Sequence, residues 1–174
     1  GKLVQTFRPE DFGLPALGSL SGVSGHLLSR KGYFTFSAMN VPTVTFRYNF
    51  KTLKIERLPS LKPHPFEKGI PVKTEVRFYR SYDGKLIPIH VYTRSDLKEK
   101  PKFALMFYYG AIGATYFSSF TAKWLLALEM GGMVAVPNLR GGGEGGHQWF
   151  LDGAKNKMGT INDIGWASRW LKKN

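Results

Sequence analysis

Short apolar segments and one alternating segment mark the first sixty residues as β structure. Apolar side chains occur within residues 25–28 and 33–37, and Ser, Gly and Pro positions separate these segments. Residues 43–50 then alternate between apolar and polar positions, with the period of two that a half-buried strand requires. The pattern predicts three or four short strands. These are too few to bury both faces of a sheet, so we expect them to be part of a larger β structure.

A proline-rich connector at residues 59–66 follows this β region. Each proline lacks a backbone donor and biases the preceding residue toward extended geometry. We therefore place a domain boundary here and predict two parts, residues 1–62 and residues 63–174.

The second part opens with two strand patterns and an apolar run. Residues 72–79 and 86–92 flank Asp83-Gly84, a pair that tolerates positive φ and closes hairpins. His90 lies on the second of these strands, and we interpret it as structural. Residues 103–109 are almost wholly apolar, which predicts a central strand covered on both faces.

Helical and strand patterns alternate through the rest of the chain. Residues 116–129 carry apolar side chains at helical spacing, and Gly131-Gly132 ends that helix. Residues 134–138 predict a further buried strand, and residues 161–173 a helix with a broad apolar face. Hairpin, strand, helix, strand, loop and helix form an α/β plan with one antiparallel edge.

Composition and charge limit the classes of function. Hydrophobic residues make up 43% of the 174 residues, which is ample for a packed core. The net charge of +13 is spread along the chain without a basic block, so a nucleic-acid partner is not favoured. No apolar run is long enough to cross a membrane, and the first residues lack a secretory signal pattern. The absence of cysteine fits a reducing compartment, so we expect a cytoplasmic location.

The most informative stretch is the loop after the strand at residues 134–138, because it contains Arg140, five glycines and Glu144. Loops at strand ends are where α/β proteins place their chemistry. One interpretation is purely structural: glycines allow a tight turn beneath neighbouring segments.

A second interpretation is a dinucleotide-binding loop. Gly141, Gly143 and Gly146 satisfy the pattern G-x-G-x-x-G, and Asp163 lies at about the distance of the ribose-binding acid. The match is weak, because such a loop should open a helix. Glu144 lies inside the loop, and Gly-Gly-His-Gln-Trp is a poor helix start.

A third interpretation rests on resemblance. The run Arg140-Gly141-Gly142-Gly143-Glu144-x-Gly146, followed by Trp149, Gly153, Lys157 and Asp163, resembles the segment before the nucleophile in the prolyl oligopeptidase family of serine peptidases. The run Tyr108-Tyr109-Gly110-Ala111-Ile112-Gly113 stands where that family has a Gly-Tyr-Gly-Gly-Phe loop, and Ser81 to Pro88 resembles its first hydrolase hairpin. The resemblance implies the N-terminal part of an α/β-hydrolase sheet, preceded by the last strands of a β-propeller.

The resemblance also implies roles for particular residues. Tyr109 matches the tyrosine whose hydroxyl helps to stabilise the oxyanion, and Ile112 occupies the position of an aromatic residue that lines the proline pocket. Arg140 and Glu144 are interpreted as a structural ion pair, and Gly141, Gly142 and Gly143 as the structural loop. No metal or organic cofactor is implied.

The serine, aspartate and histidine of the family's triad are expected beyond residue 174, since the chain contains no G-x-S-x-G. We therefore predict that the chain alone is inactive, and that its partners are short peptide substrates and the remainder of the same polypeptide. Cleavage after proline is expected. The alternatives are cleavage after basic residues, an esterase-like activity, a non-catalytic scaffold or a basic binding module.

Overall fold

A computed structural model describes residues 1–26, 28–60, 70–116 and 118–174. The predicted boundary between residues 62 and 63, and most of the proline-rich connector, lie outside the described residues. The chain divides into two compact units. The first comprises Gly1–Ile70 with Phe117–Ala122, and the second comprises Pro71–Tyr116 with Lys123–Asn174.

The first unit is a four-stranded antiparallel sheet in which neighbours in sequence are neighbours in space. Its strands are β1 (Ser19–His26), β2 (Lys31–Ala38), β3 (Val41–Asn49) and β4 (Ile55–Arg57). A 3-10 turn at Pro9–Phe12 precedes them. The predicted strands at 33–37 and 43–50 are confirmed. The strand predicted at 25–28 instead begins at Ser19. Almost all of β1 is exposed, so its first residues carry no alternating apolar pattern.

Aromatic side chains form the core of this unit. Phe36 and Phe46 are fully buried, and Phe34 stacks on Phe46 with ring centroids 5.3 Å apart. Phe7 and Phe12, which precede the sheet, pack against the same cluster. Stacked and edge-on ring pairs of this kind add to the stabilisation that burial gives.

The second unit is a mixed sheet with helices. Its strands are β5 (Val72–Arg80), β6 (Leu86–Arg94), β7 (Ala104–Met106) and β8 (Met133–Pro137), in the order β5-β6-β8-β7. Its helices are α1 (Ala122–Glu129), α2 (Gly146–Lys155) and α3 (Lys157–Lys173). The hairpin is confirmed: β5 pairs antiparallel with β6, and Gly84 has φ +80° in the connection. β7 runs parallel to β8.

Within the described sheet, the strand predicted at 103–109 is neither central nor fully covered. β7 has three residues and lies at the end of the described sheet, where Phe103, Leu105 and Phe107 are exposed. An apolar sequence indicates that a strand is buried against other parts of the protein. It does not indicate whether the strand pairs with one neighbouring strand or with two. β8, by contrast, is buried over four of its five residues, as predicted.

The helices α1 and α3 begin at residues other than those that the apolar pattern predicts. α1 starts at Ala122 rather than at residue 116, because Ser118, Ser119 and Thr121 precede it and such residues favour non-helical backbone. Phe117 of the predicted helix lies outside the described residues. α3 starts at Lys157 rather than at 161, since the Asn156 side chain accepts a hydrogen bond from the Gly159 amide and caps the helix.

The sequence pattern does not predict the helix α2, because a glycine-rich start is unfavourable for a helix. The packing of α2 against the glycine loop outweighs its low helix propensity. The Trp149 indole N–H donates to the Leu139 carbonyl at 2.9 Å, and the Trp149 carbonyl accepts from the Gly141 amide at 2.9 Å. The broad apolar face of α3 is also only partly confirmed: Ala167 is buried, whereas Ile161 and Trp166 are exposed. No helix among the described residues is long and apolar enough to cross a membrane.

Candidate functional site

The candidate site lies at the carboxyl ends of the two parallel strands. Tyr109, three residues beyond β7, forms a single parallel bridge with Asn138, the first residue beyond β8. Two loops start there, residues 110–116 and residues 139–145. The carboxyl ends of parallel strands are the usual place for ligands in α/β folds, and the chain's sheet geometry brings the two loops together at that place.

Of the two residues that the resemblance assigns to catalysis and substrate binding, Tyr109 directly precedes the first loop and Ile112 lies on it. Tyr109 is 50% exposed and Ile112 is 80% exposed. Ile112 has φ +51°, a backbone conformation that is rare for a β-branched residue and costs free energy. The Ala114 amide donates to the Ala111 carbonyl at 3.0 Å and closes the turn around it. The structure therefore leaves both side chains open to solvent.

The glycines of the second loop permit close contact with the first. Gly141 has φ +97°, and a Cβ added there would lie 2.5 Å from the Gly110 carbonyl oxygen. The Gly113 amide donates to the Gly141 carbonyl at 3.0 Å, and the Gly143 amide donates to the Ala114 carbonyl at 3.1 Å. These contacts give a physical reason for glycine at 141 and 143, whatever the function of the loop.

Arg140 anchors the start of the glycine loop through a buried ion pair. Its guanidinium donates to both carboxylate oxygens of Asp163, from Nε at 2.9 Å and from Nη2 at 2.5 Å. Nη1 also donates to Asp83 at 2.5 Å. The hydrogen bond with Asp163 raises the pKa of Arg140 above its ordinary value, and the hydrogen bond from Arg140 lowers the pKa of Asp83. The predicted pair between Arg140 and Glu144 is wrong, since the partners of Arg140 are Asp83 and Asp163.

The Asp163 carboxylate is completely buried, and both of its oxygens accept hydrogen bonds. Besides Arg140, it accepts a hydrogen bond from the Ser81 hydroxyl at 2.5 Å, and its backbone carbonyl accepts one from the Tyr79 hydroxyl at 2.9 Å. A carboxylate that is completely buried behind Arg140 and Ser81 is not accessible to a ribose hydroxyl, which removes the main support for a dinucleotide loop. No sequence signal marked Asp83 as a partner of Arg140, or Ser81 as a partner of Asp163, because the members of each pair are distant in sequence.

Glu144 makes different contacts. Its Oε1 accepts from the Tyr116 amide at 2.9 Å and from the Asn138 side-chain amide at 3.1 Å. Its Oε2 is buried without a hydrogen-bond partner among the described residues. His90 lies in the same region: its ring is 5.9 Å from that of Tyr116, its Nδ1 is also buried without a partner, and burial lowers its pKa. Sequence reasoning did not foresee this buried polar group.

The described parts of the chain contain no group of three or more His, Asp or Glu side chains that could hold a metal ion. The two loops and Tyr109 present three kinds of group. These are the exposed phenol of Tyr109, the apolar side chain of Ile112, and the backbone of two mutually bonded loops.

Comparisons with known proteins relate the whole chain to one group of peptidases. The chain is 33% identical over its full length to a prolyl endopeptidase of Elizabethkingia meningoseptica, of which it covers 24%. It is 31% identical over 82% of its length to a dual function macrocyclase-peptidase of Amanita bisporigera, of which it covers 20%. A solved structure of prolyl oligopeptidase B from Galerina marginata superimposes on 90% of the chain with a TM-score of 0.78 and 27% identity, and the chain covers 22% of it. No protein-family model matches the chain.

Proposed function

Because the chain belongs to the prolyl oligopeptidase family of serine peptidases, we propose that it forms part of an enzyme that hydrolyses short peptides after proline. The observation that supports this most directly is the placement of Tyr109. Its half-exposed side chain lies at the carboxyl end of β7, and its backbone is bridged to Asn138 at the end of β8. A phenol held there is available to a substrate carbonyl above the sheet.

In the proposed reaction, a serine attacks the scissile carbonyl and a histidine carries the proton, so that an acyl-enzyme forms and is then hydrolysed. The Tyr109 hydroxyl donates a hydrogen bond to the oxyanion of the tetrahedral intermediate. Loss of one such donor costs about 3 kcal/mol in the transition state. No cofactor takes part in this scheme.

The serine, aspartate and histidine would come from the remainder of the polypeptide. The chain has no G-x-S-x-G, and it spans 24% of its prolyl endopeptidase relative. The open side of β7 supports this: the last residues of α3 line the same cavity as residues 100–104, which lead into β7. A right-handed crossover from α3 would therefore place a parallel strand beside β7. We propose that the 174 residues alone are inactive.

We assign residues 1–62 to the end of a β-propeller and residues 63–174 to the first part of an α/β-hydrolase domain. The four-stranded antiparallel sheet β1 to β4 supports the first assignment, because propeller blades are sheets of four strands. The mixed sheet with parallel β7 and β8 supports the second. The cysteine-free sequence supports a cytoplasmic enzyme.

Ile112 is proposed to contact the residue before the cleaved bond. Its exposed apolar side chain suits an apolar residue such as proline and offers no charge to a basic one. Peptides that differ only in proline or arginine at that position test this proposal. A higher kcat/KM for the arginine peptide would contradict it and favour the alternative of cleavage after basic residues.

The enzyme proposal is tested by assaying the complete polypeptide with a proline-containing peptide and comparing two variants. Tyr109→Phe is expected to lower kcat by about 100-fold, since a transition-state donor is lost. Tyr108→Phe is the matched control, because Tyr108 is equally exposed and adjacent, and it should change kcat by less than about twofold. Equal activity in both variants would contradict the role of Tyr109. Triad-dependent activity in the 174-residue chain would contradict the proposed location of the nucleophile.

A further inference from the structure

Four contacts hold the loop that carries Tyr109 against the glycine loop. Three are backbone contacts: the bridge between Tyr109 and Asn138, and the two amide-to-carbonyl bonds that join residues 113 and 114 to residues 141 and 143. The fourth is made by a side chain, from the Tyr116 amide to Glu144 Oε1. It closes the far end of the loop whose near end starts at Tyr109.

Glu144 also reaches the near end. The same oxygen accepts from the Asn138 side chain at 3.1 Å, and the backbone of Asn138 is the partner of Tyr109. One carboxylate oxygen is therefore joined to the end of the loop directly and to its start through Asn138. Both contacts use this oxygen only as an acceptor, so the two ends of the loop are held by the position of one side-chain oxygen.

The burial of this carboxylate is costly. Glu144 Oε2 is buried and has no hydrogen-bond partner among the described residues, and the neighbouring His90 Nδ1 is in the same condition. Buried polar atoms in native proteins are almost always paired, and the exceptions call for an explanation. A role in loop position explains the presence of a carboxylate here in place of an apolar side chain.

We propose that Glu144 is a positioning residue for Tyr109: it holds the loop of residues 109–116 so that the Tyr109 hydroxyl meets the oxyanion. This rests on the proposed function. Because Glu144 would act only through Tyr109, the effects of changing the two residues must not be independent.

A double-mutant cycle in the complete polypeptide tests the proposal. Glu144→Ala is expected to lower kcat by about tenfold or more, because the released loop no longer holds the Tyr109 hydroxyl at the oxyanion. In the Tyr109→Phe background, where the hydroxyl is already gone, the same change should lower kcat by less than about twofold. Equal losses in both backgrounds would show a general effect on the fold and would overturn the proposal.

Conservative variants separate loop position from folding. Glu144→Gln keeps an oxygen acceptor at the same place, so it should retain most of the wild-type kcat. Glu144→Asp is shorter by one methylene and cannot reach both donors, so it should lose kcat without unfolding the chain. Glu99→Ala, a change at an exposed acidic residue, is the control and should have no effect. A Glu144→Asp enzyme with wild-type kcat would overturn the proposal.

Amide exchange separates this proposal from the proposed function. Glu144→Asp should speed hydrogen exchange at the Tyr116 amide by about tenfold, while Glu144→Gln should leave it near the wild-type rate. If the complete polypeptide has no peptidase activity, the proposed function fails, and faster exchange at Tyr116 would still support the loop contact. Unchanged exchange at Tyr116 in Glu144→Asp would overturn the contact itself, whatever the activity.

Discussion

Arg140 and Asp163 meet in a two-pronged ion pair, with Nε donating to Oδ2 at 2.9 Å and Nη2 donating to Oδ1 at 2.5 Å. The Asp163 side chain is completely buried and that of Arg140 is 8% exposed. The pair joins Arg140, near the start of the glycine loop, to α3. Because the planar guanidinium matches the carboxylate at two points, it fixes the angle between the loop and the helix as well as their separation.

Asp163→Asn should lower the free energy of unfolding by about 3 kcal/mol. The amide keeps one acceptor but presents a donor to the second guanidinium nitrogen, and it leaves the buried Arg140 charge with Asp83 alone. Breaking a buried ion pair on one side typically costs about 3–5 kcal/mol. Urea unfolding of both proteins at pH 7 measures the difference.

Asp96→Asn is the matched control for this prediction. Asp96 pairs with Arg94 through two hydrogen bonds as well, but its side chain is 41% exposed. Exposed pairs contribute about 0.2–1 kcal/mol, so this variant should unfold close to the wild-type midpoint. Similar losses in the two variants would mean that burial does not determine the strength of the Arg140 pair.

The parts of the fold that were predicted correctly are those that local sequence determines. The hairpin of β5 and β6 follows from two alternating segments around Asp83-Gly84, and each of its signals lies within a few residues of the others. The buried strand β8 and the glycine loop after it also follow from the order of apolar run and glycine run.

The parts that were missed depend on residues far apart in the chain. α2 forms because Trp149 bonds to Leu139 and Gly141, a contact that helix propensity does not contain. Arg140 pairs with Asp163 and not with the nearby Glu144, because the fold brings the distant carboxylate within hydrogen-bond distance of the guanidinium. Glu144 contacts the backbone amide of Tyr116 and the side chain of Asn138. Neither a tyrosine nor an asparagine in the sequence predicts a hydrogen bond to a particular glutamate.

Protonation of His90 should make stability depend on pH below neutrality. Burial lowers the pKa of His90 below its ordinary value of 6.5, and it outweighs the opposing effects of Asn138 and Glu144. In the unfolded chain the histidine takes up a proton as the pH falls through about 6.5, while in the folded chain it stays neutral. The stabilisation is therefore complete above pH 6.5 and is lost as the pH falls through the folded pKa.

Urea midpoints measured between pH 7.5 and pH 5.5 test this sign. The wild-type midpoint should fall over this range more steeply than that of His90→Gln, which has no proton to bind. His147→Gln is the control, since His147 is exposed at the start of α2, and it should keep the wild-type slope. A steeper fall in His90→Gln than in the wild type would show that the sign is wrong.

Two helical glycines should respond oppositely to alanine. A Cβ on Gly165 of α3 meets nothing within 4 Å, so Gly165→Ala should raise the free energy of unfolding by about 0.5–1 kcal/mol through the loss of backbone entropy in the unfolded chain. A Cβ on Gly153 of α2 would collide with the backbone of Arg140 and Gly141. Because backbone cannot move aside cheaply, Gly153→Ala should cost about 1–3 kcal/mol. Thermal unfolding of the two variants measures both signs, and a stabilised Gly153→Ala would contradict the close packing of α2 on the glycine loop.

The open edge of β7 should make the 174-residue chain prone to self-association. In the described sheet β7 pairs with β8 on one side, its other side has no strand, and Leu105 on it is 39% exposed. Unpaired strand edges with apolar side chains promote pairing between chains, and a lysine on the edge opposes it. Leu105→Lys should therefore lower light scattering at a fixed protein concentration.

Leu126→Lys is the matched control, because it adds the same charge at an exposed leucine of α1. The chain already carries +13, so one more positive charge off the sheet should matter little. An equal fall in scattering for both variants would assign the effect to net charge and would leave the edge of β7 without a role in association.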